Sequence, residues 1–254
     1  MSFRITFPTA AFLPVSAALV LALSALTGCV QKRTAGTVEC GCTAVSHAPG
    51  DTLTEEAVNM LGLDSLFRVS PVPDEIFALM QGKSYKENCT IPRDSLRYLL
   101  CLHKDIDGNI LVGEMVVSCL VADDLLQIFR ELYLQSYPIG KMRLADYYDA
   151  DDELIMRDNC SSCFNFRQVS NSRTLSRHSR GIAVDINPLY NPFRHTVDGK
   201  VIVEPATAEP YADRTADFAY KIEPDDLCVR LFKAHGFTWG GDWKSSKDWQ
   251  HFER

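Results

Sequence analysis

Two apolar runs, LRYLLCLHK and ILVGEMVVS, flank the polar stretch DIDGN between Leu96 and Ser118. Asp107-Gly108 is a strong turn signal between such runs, and the segment predicts a β-hairpin. From Asp123 to Ser136, apolar residues at 125, 126, 129, 132 and 133 recur along one face. That spacing is helical, and Asp123 and Asp124 suit the N-terminus of the helix. Shorter helices are predicted over 55–68, from Pro73-Asp74 to Gly82, and over 223–236, where Asp225 or Asp226 caps the start and Gly236 ends the run. GIAVDI reads as a short strand, with Ile182, Val184 and Ile186 on one face and Ala183, Asp185 and Asn187 on the other. A last strand is expected around His251, after a tight turn at the glycines of TWGGDW. Residues 190–224, punctuated by Pro, Gly and Asp, read as a long surface loop. Hairpin, helices and short strands in no βαβ order make an α+β domain.

Charge and the N-terminus narrow the setting. The net charge of −7 disfavours non-specific nucleic-acid binding, which needs a basic surface. Arg4 is the only charge in the first 30 residues, and an apolar stretch runs from Ala10 to Leu26. The stretch is long enough for a membrane anchor, but it ends in LTGC, residues 26–29, which resembles the lipobox of bacterial lipoproteins. That resemblance implies a signal peptide over 1–28, lipidation of Cys29 and a tether over 29–65. It also places the protein in the cell envelope, on the periplasmic side, with Val30 favouring the outer membrane. Nine cysteines less Cys29 leave eight, an even number that in an exported chain predicts disulfides, Cys160-x-x-Cys163 among the candidates.

One charge stands out. Asp185 sits in an apolar strand, where a carboxylate is costly unless something pairs with it. His178 precedes it by seven residues, Gly181 gives the chain freedom to turn between them, and Ala183 leaves room above the strand. His251 follows Asp248 by three residues near the C-terminus. Two imidazoles and one carboxylate make an open zinc site with a fourth position for water. Taken singly, His178 fits a surface loop and His251 a core as well as either fits a metal.

The motifs together decide between these readings. SRHSRGIAVD has the form S-x-H-x-x-G-x-A-x-D and DWQH the form D-x-x-H. With FNFRQV before them, DINPLYNP between and WGGDW before DWQHFE, the chain from about Leu66 to Arg254 resembles the zinc peptidases related to D-alanyl-D-alanine carboxypeptidases and L-alanyl-D-glutamate peptidases. The resemblance implies a hedgehog/DD-peptidase-like fold over 66–254, a small antiparallel sheet with flanking helices around one zinc site. It implies Zn2+ held by His178, Asp185 and His251, with Asp248 as general base. Arg167 would face the substrate and Ser176 would support it. Aspartate at the base position, where many carboxypeptidase members carry glutamate, tilts toward the L-alanyl-D-glutamate branch.

The implied activity is hydrolysis of peptidoglycan stem peptides at the membrane reached through Cys29. The alternative is a non-catalytic, zinc-containing wall-binding module on the same fold. Such a module would need neither Asp248 nor Arg167, although Asp248 could also serve as a salt-bridge partner of Lys244 or Lys247. Asp248 and His251 on one regular strand would point to opposite faces. A shared metal therefore predicts Asp248 in a turn just before the His251 strand.

Overall fold

The computed structural model describes residues 47–169 and 174–254. The expected signal peptide, Cys29, Cys40, Cys42 and most of the tether lie outside the described residues. In chain order the elements are β1 (Thr52–Leu53), α1 (Glu55–Leu61), α2 (Leu63–Leu66), β2 (Arg68–Pro71), α3 (Asp74–Met80), β3 (Leu96–Lys104) and β4 (Ile110–Ser118). Then come α4 (Ala122–Leu134), β5 (Lys141–Met142), α5 (Asp152–Arg157), β6 (Cys160–Ser161), β7 (Ala183–Asp185), β8 (Phe193–Val197) and β9 (Lys200–Glu204). The chain closes with α6 (Leu227–Ala234), β10 (Thr238–Trp239), β11 (Lys247–Asp248) and β12 (His251–Glu253). This is the α+β class. No helix among the described residues is long and apolar enough to cross a membrane.

The predicted hairpin is the backbone of the largest sheet, ordered β1-β4-β3-β2 and antiparallel throughout. Its loop closes on Asp105, whose Oδ1 accepts from the N–H groups of Asp107 and Asn109. The apolar stripe of α4, Leu125, Ile128, Phe129 and Leu132, is buried with Leu99, Cys101, Met115 and Val117 of β3 and β4 in one core. Leu53 and Val58 are buried in that same core. The expected tether therefore ends earlier than Leu66: from Thr52 onward the chain is part of the folded unit.

Three sequence expectations need correction. The six described cysteines, Cys89, Cys101, Cys119, Cys160, Cys163 and Cys228, are all free. Cys101 in β3, Cys228 in α6 and Cys163 in the stretch after β6 are buried packing groups of the main core, while Cys160 lies in a separate small cluster with Ala145 and Ile155. A free cysteine so placed behaves as a small hydrophobe, and burial raises the Cys160 thiol to about 11.

The stretch 190–224 is not one loop. It contains the hairpin β8–β9, closed by the two residues Asp198 and Gly199, with φ of 50° and 75°. Two positive φ values are what a tight primed turn requires, and Asp-Gly supplies them. Finally, the single small sheet expected around the site is replaced by two three-stranded antiparallel sheets, β10-β12-β7 and β11-β8-β9, beside the parallel pair β5-β6.

The core also holds a histidine that titrates with folding. His103, 3 % exposed, places Nδ1 2.8 Å from the Ile139 carbonyl, and burial pushes its pKa down to about 4. The unfolded chain takes up this proton as pH falls through about 6.5, and the folded chain does so only near 4. Stability is therefore lost over that window, by about 3 kcal/mol for this one group. The stability advantage of wild type over His103→Asn should shrink by that amount between pH 7 and pH 4, read by denaturant unfolding. A constant advantage would mean that His103 takes up its proton as readily in the fold as in the unfolded chain.

Candidate metal centre and active site

Each candidate ligand is fixed by its own local structure. His178 lies in a short 3-10 turn, 177–180, whose first N–H groups need a cap. Ser176 supplies it: its Oγ accepts from the His178 N–H at 3.2 Å. The serine thus positions the histidine. Gly181 ends the turn at φ 66°, and its carbonyl accepts from the Ser118 N–H of β4 at 2.8 Å. A Cβ here would lie 2.7 Å from the Ser118 nitrogen, so only glycine fits both the conformation and the approach.

β7 and β12 pair antiparallel with Asp185 directly opposite His251. On its other side Asp185 exchanges two backbone hydrogen bonds with Ser162. Val184 and Ile186 bury into the main core, so the alternation of the strand presents Asp185 to the opposite face, as predicted.

The three side chains converge. His178 Nε2 is 3.2 Å from Asp185 Oδ2, His251 Nδ1 is 3.0 Å from Asp185 Oδ1, and the two ring nitrogens are 3.2 Å apart. The outer nitrogens are occupied: His178 Nδ1 meets the Cys163 carbonyl at 2.7 Å and His251 Nε2 meets Glu253 Oε2 at 3.2 Å. If each outer nitrogen donates its N–H, both inner nitrogens present lone pairs to each other and to a carboxylate. Three acceptors facing one point need a cation between them, either a proton or a metal.

The pKa shifts show the proton solution. Burial disfavours a charged His251, but its bonds to Asp185 and Glu253 outweigh that and raise it to about 10. Burial would push Asp185 up, yet the two histidines hold it far below the usual carboxylate range. Two imidazole nitrogens and one carboxylate oxygen, oriented by outer partners, are a donor set that fits Zn2+. Glu253 was not singled out from the sequence. Its signal was there, since in the strand His251-Phe252-Glu253 the first and third residues share a face.

Asp248 stands beside this group, in a different place from that expected. It lies in β11, paired with Phe193 of β8, and the chain bends at Trp249 and Gln250 before entering β12. The break between two sheets replaces the expected turn and has the same effect: Asp248 and His251 line one cleft of 520 Å3 with Arg167, His178 and Asp185. Gly240 allows the approach, because a Cβ there would lie 2.5 Å from the Asp248 carbonyl oxygen. Burial and the nearby Asp185 carboxylate push Asp248 up to about 7 against the pull of His251. Its Oδ1 is buried with no partner among the described residues.

Arg167 forms an ion pair with Asp152, in the first turn of α5. Asp152 Oδ1 also accepts from Asn165 Nδ2 at 3.0 Å. The cleft has further walls that the sequence reading passed over. Trp243 lies 5.5 Å from the His251 ring, and His195 stacks on Phe193 at 4.4 Å.

The arrangement agrees with a comparison of sequences. Residues 170–254 match the family model described as D-alanyl-D-alanine carboxypeptidase. This segment is similar to that peptidase family. The match holds His178, Asp185, Asp248 and His251, and it starts just after Arg167, so the upstream half of the expected resemblance lies outside it. Peptidases of the family are zinc-dependent. No solved structure matches the chain.

Proposed function

We propose that this chain is a zinc-dependent peptidase of the hedgehog/DD-peptidase type that hydrolyses peptide bonds in peptidoglycan stem peptides. The observation that carries the reading is the convergence on a single cleft of three metal-type donors and one buried carboxylate, one of whose oxygens has no partner among the described residues. His178, Asp185 and His251 would hold the zinc, which supplies Lewis acidity that makes a water available for attack near neutral pH. Asp248 would take the proton of that water on a carboxylate oxygen and pass it to the leaving amine. Arg167, held by Asp152, offers a guanidinium to the carbonyl oxygen on which charge develops or to a substrate carboxylate. Stem peptides carry several carboxylates, any of which the Arg167 guanidinium could take in a bidentate pair. Lipidation at Cys29 belongs to the same proposal, because it would keep the site in the compartment that holds this substrate.

The test uses the zinc-loaded full chain with defined muropeptides and mass spectrometry of the products. Cleavage at D-Ala-D-Ala or L-Ala-D-Glu, stopped by a chelator and restored by zinc, is the expected result. A zinc-loaded chain that leaves every stem peptide intact would refute the enzymatic reading.

A further inference from the structure

Glu204 is a cleft carboxylate that the reaction above leaves without a task. Its place follows from the register of the sheet β11-β8-β9. Asp248 of β11 stands opposite Phe193 of β8, and Phe193 stands opposite Glu204 of β9. Residues paired across antiparallel strands share one face, so these three side chains form a row. His195, two residues along β8 from Phe193, is on the same face. All four line the cleft. Two strand spacings put Glu204 about 10 Å from Asp248. The cleft carboxylates other than these two have partners of their own. Asp152 pairs with Arg167, Asp185 with the two histidines and Glu253 with His251. The Glu204 side chain is 33 % exposed, and among the described residues its carboxylate meets only His195, at 3.5 Å. That contact is no hydrogen bond, since His195 Nε2 has no such partner among those residues. Between the two ends of the row lies an aromatic floor, the Phe193 ring with the His195 ring stacked on it at 4.4 Å.

We propose that Glu204 is a specificity-determining residue that takes the side-chain ammonium of the peptide substrate, with the Phe193 ring against its alkyl stem. The inference rests on the peptidase reading above and narrows its substrate class to peptides with a diamino residue near the scissile bond. An open carboxylate beside an aromatic face suits a cation on an apolar stem. Such stems lie along apolar surface while the charged head keeps its polar partner. An extended peptide rises about 3.3 Å per residue, so a row of about 10 Å spans about three residues. Stem peptides carry a diamino residue, lysine or diaminopimelate, within that reach. The row thus gives Asp248 the reaction and Glu204 the choice of peptide.

The experiment uses zinc-loaded full chains and three stem peptides that differ only at the diamino position, which holds lysine, diaminopimelate or norleucine. Norleucine keeps the stem of lysine and lacks the ammonium. In wild type, KM for at least one diamino peptide should lie roughly tenfold below that for the norleucine peptide. Its kcat should differ by less than about twofold, as for an interaction made equally in the ground and transition states. In Glu204→Gln the KM advantage should shrink to about twofold or less, with Tm and zinc content held. Which diamino peptide has the lower KM identifies the residue that supplies the ammonium. An advantage that survives Glu204→Gln overturns the subsite, because the ammonium then binds elsewhere. An advantage lost together with a lower Tm or lost zinc overturns it too, by making Glu204 structural. If wild type cleaves none of the three peptides, the peptidase reading fails and this inference with it. Cleavage of all three with equal KM sinks the subsite alone.

Discussion

Asp248→Asn is expected to lower kcat roughly a thousandfold while zinc binding stays normal. The substitution is isosteric, so the contact with Gly240 and the pairing of β11 with β8 survive. What disappears is the ability to accept a proton. The carboxyl group is buried beside Asp185, one oxygen is without a partner among the described residues, and its pKa is raised to about 7. Such a group is expensive to fold around, and a neutral amide in its place should leave the fold as stable or more stable. Activity down with stability level or up is the signature of a group retained for chemistry. Steady-state kinetics on muropeptides, metal analysis and thermal unfolding of one preparation decide the matter. Full hydrolytic activity in zinc-loaded Asp248→Asn would show that the proton goes elsewhere.

The sequence displayed the parts of this site whose cause is local. Asp185 among Ile182, Val184 and Ile186 betrayed both its strand and its burial, because the period of two sets which side chains share a face. Ser176 and Gly181 bracket His178 as cap and turn residues do, and the structure uses them so. The hairpin at Asp107-Gly108 and the helix after Val121 were legible for the same reason.

Features set by distant pairings were not legible. That Asp248 and His251 belong to different sheets depends on β8 and β7, more than 50 residues upstream. Asp152 looked like one of several acids in an irregular stretch, and only its ion pair with Arg167 gives it a task. The hairpin β8–β9 was hidden by flanking prolines, although its own Asp-Gly turn was in view. Cysteine parity misled because it counts thiols without placing them, and three of the six described ones turned out to be core packing.

Asp185→Asn should abolish zinc binding and with it the activity, and Glu253→Gln should weaken zinc binding by roughly 10- to 100-fold. The two differ in kind. Asp185 touches both histidines and would be a ligand, so its amide leaves the two imidazoles without the anion that balances a dication. Glu253 would act through His251, accepting the Nε2–H and so keeping the Nδ1 lone pair aimed inward. Its amide can still accept that bond, but without the charge that makes the imidazole a stronger donor to metal. Zinc should also stabilise the fold by mass action, by about 4 kcal/mol at a free concentration a thousand times Kd. Thermal unfolding with and without zinc therefore reads both substitutions independently of any substrate. The zinc-dependent rise in Tm should be present in wild type, displaced to higher zinc in Glu253→Gln and missing in Asp185→Asn. An undiminished rise in Asp185→Asn would place the metal away from the three converging side chains and remove the basis for the whole arrangement.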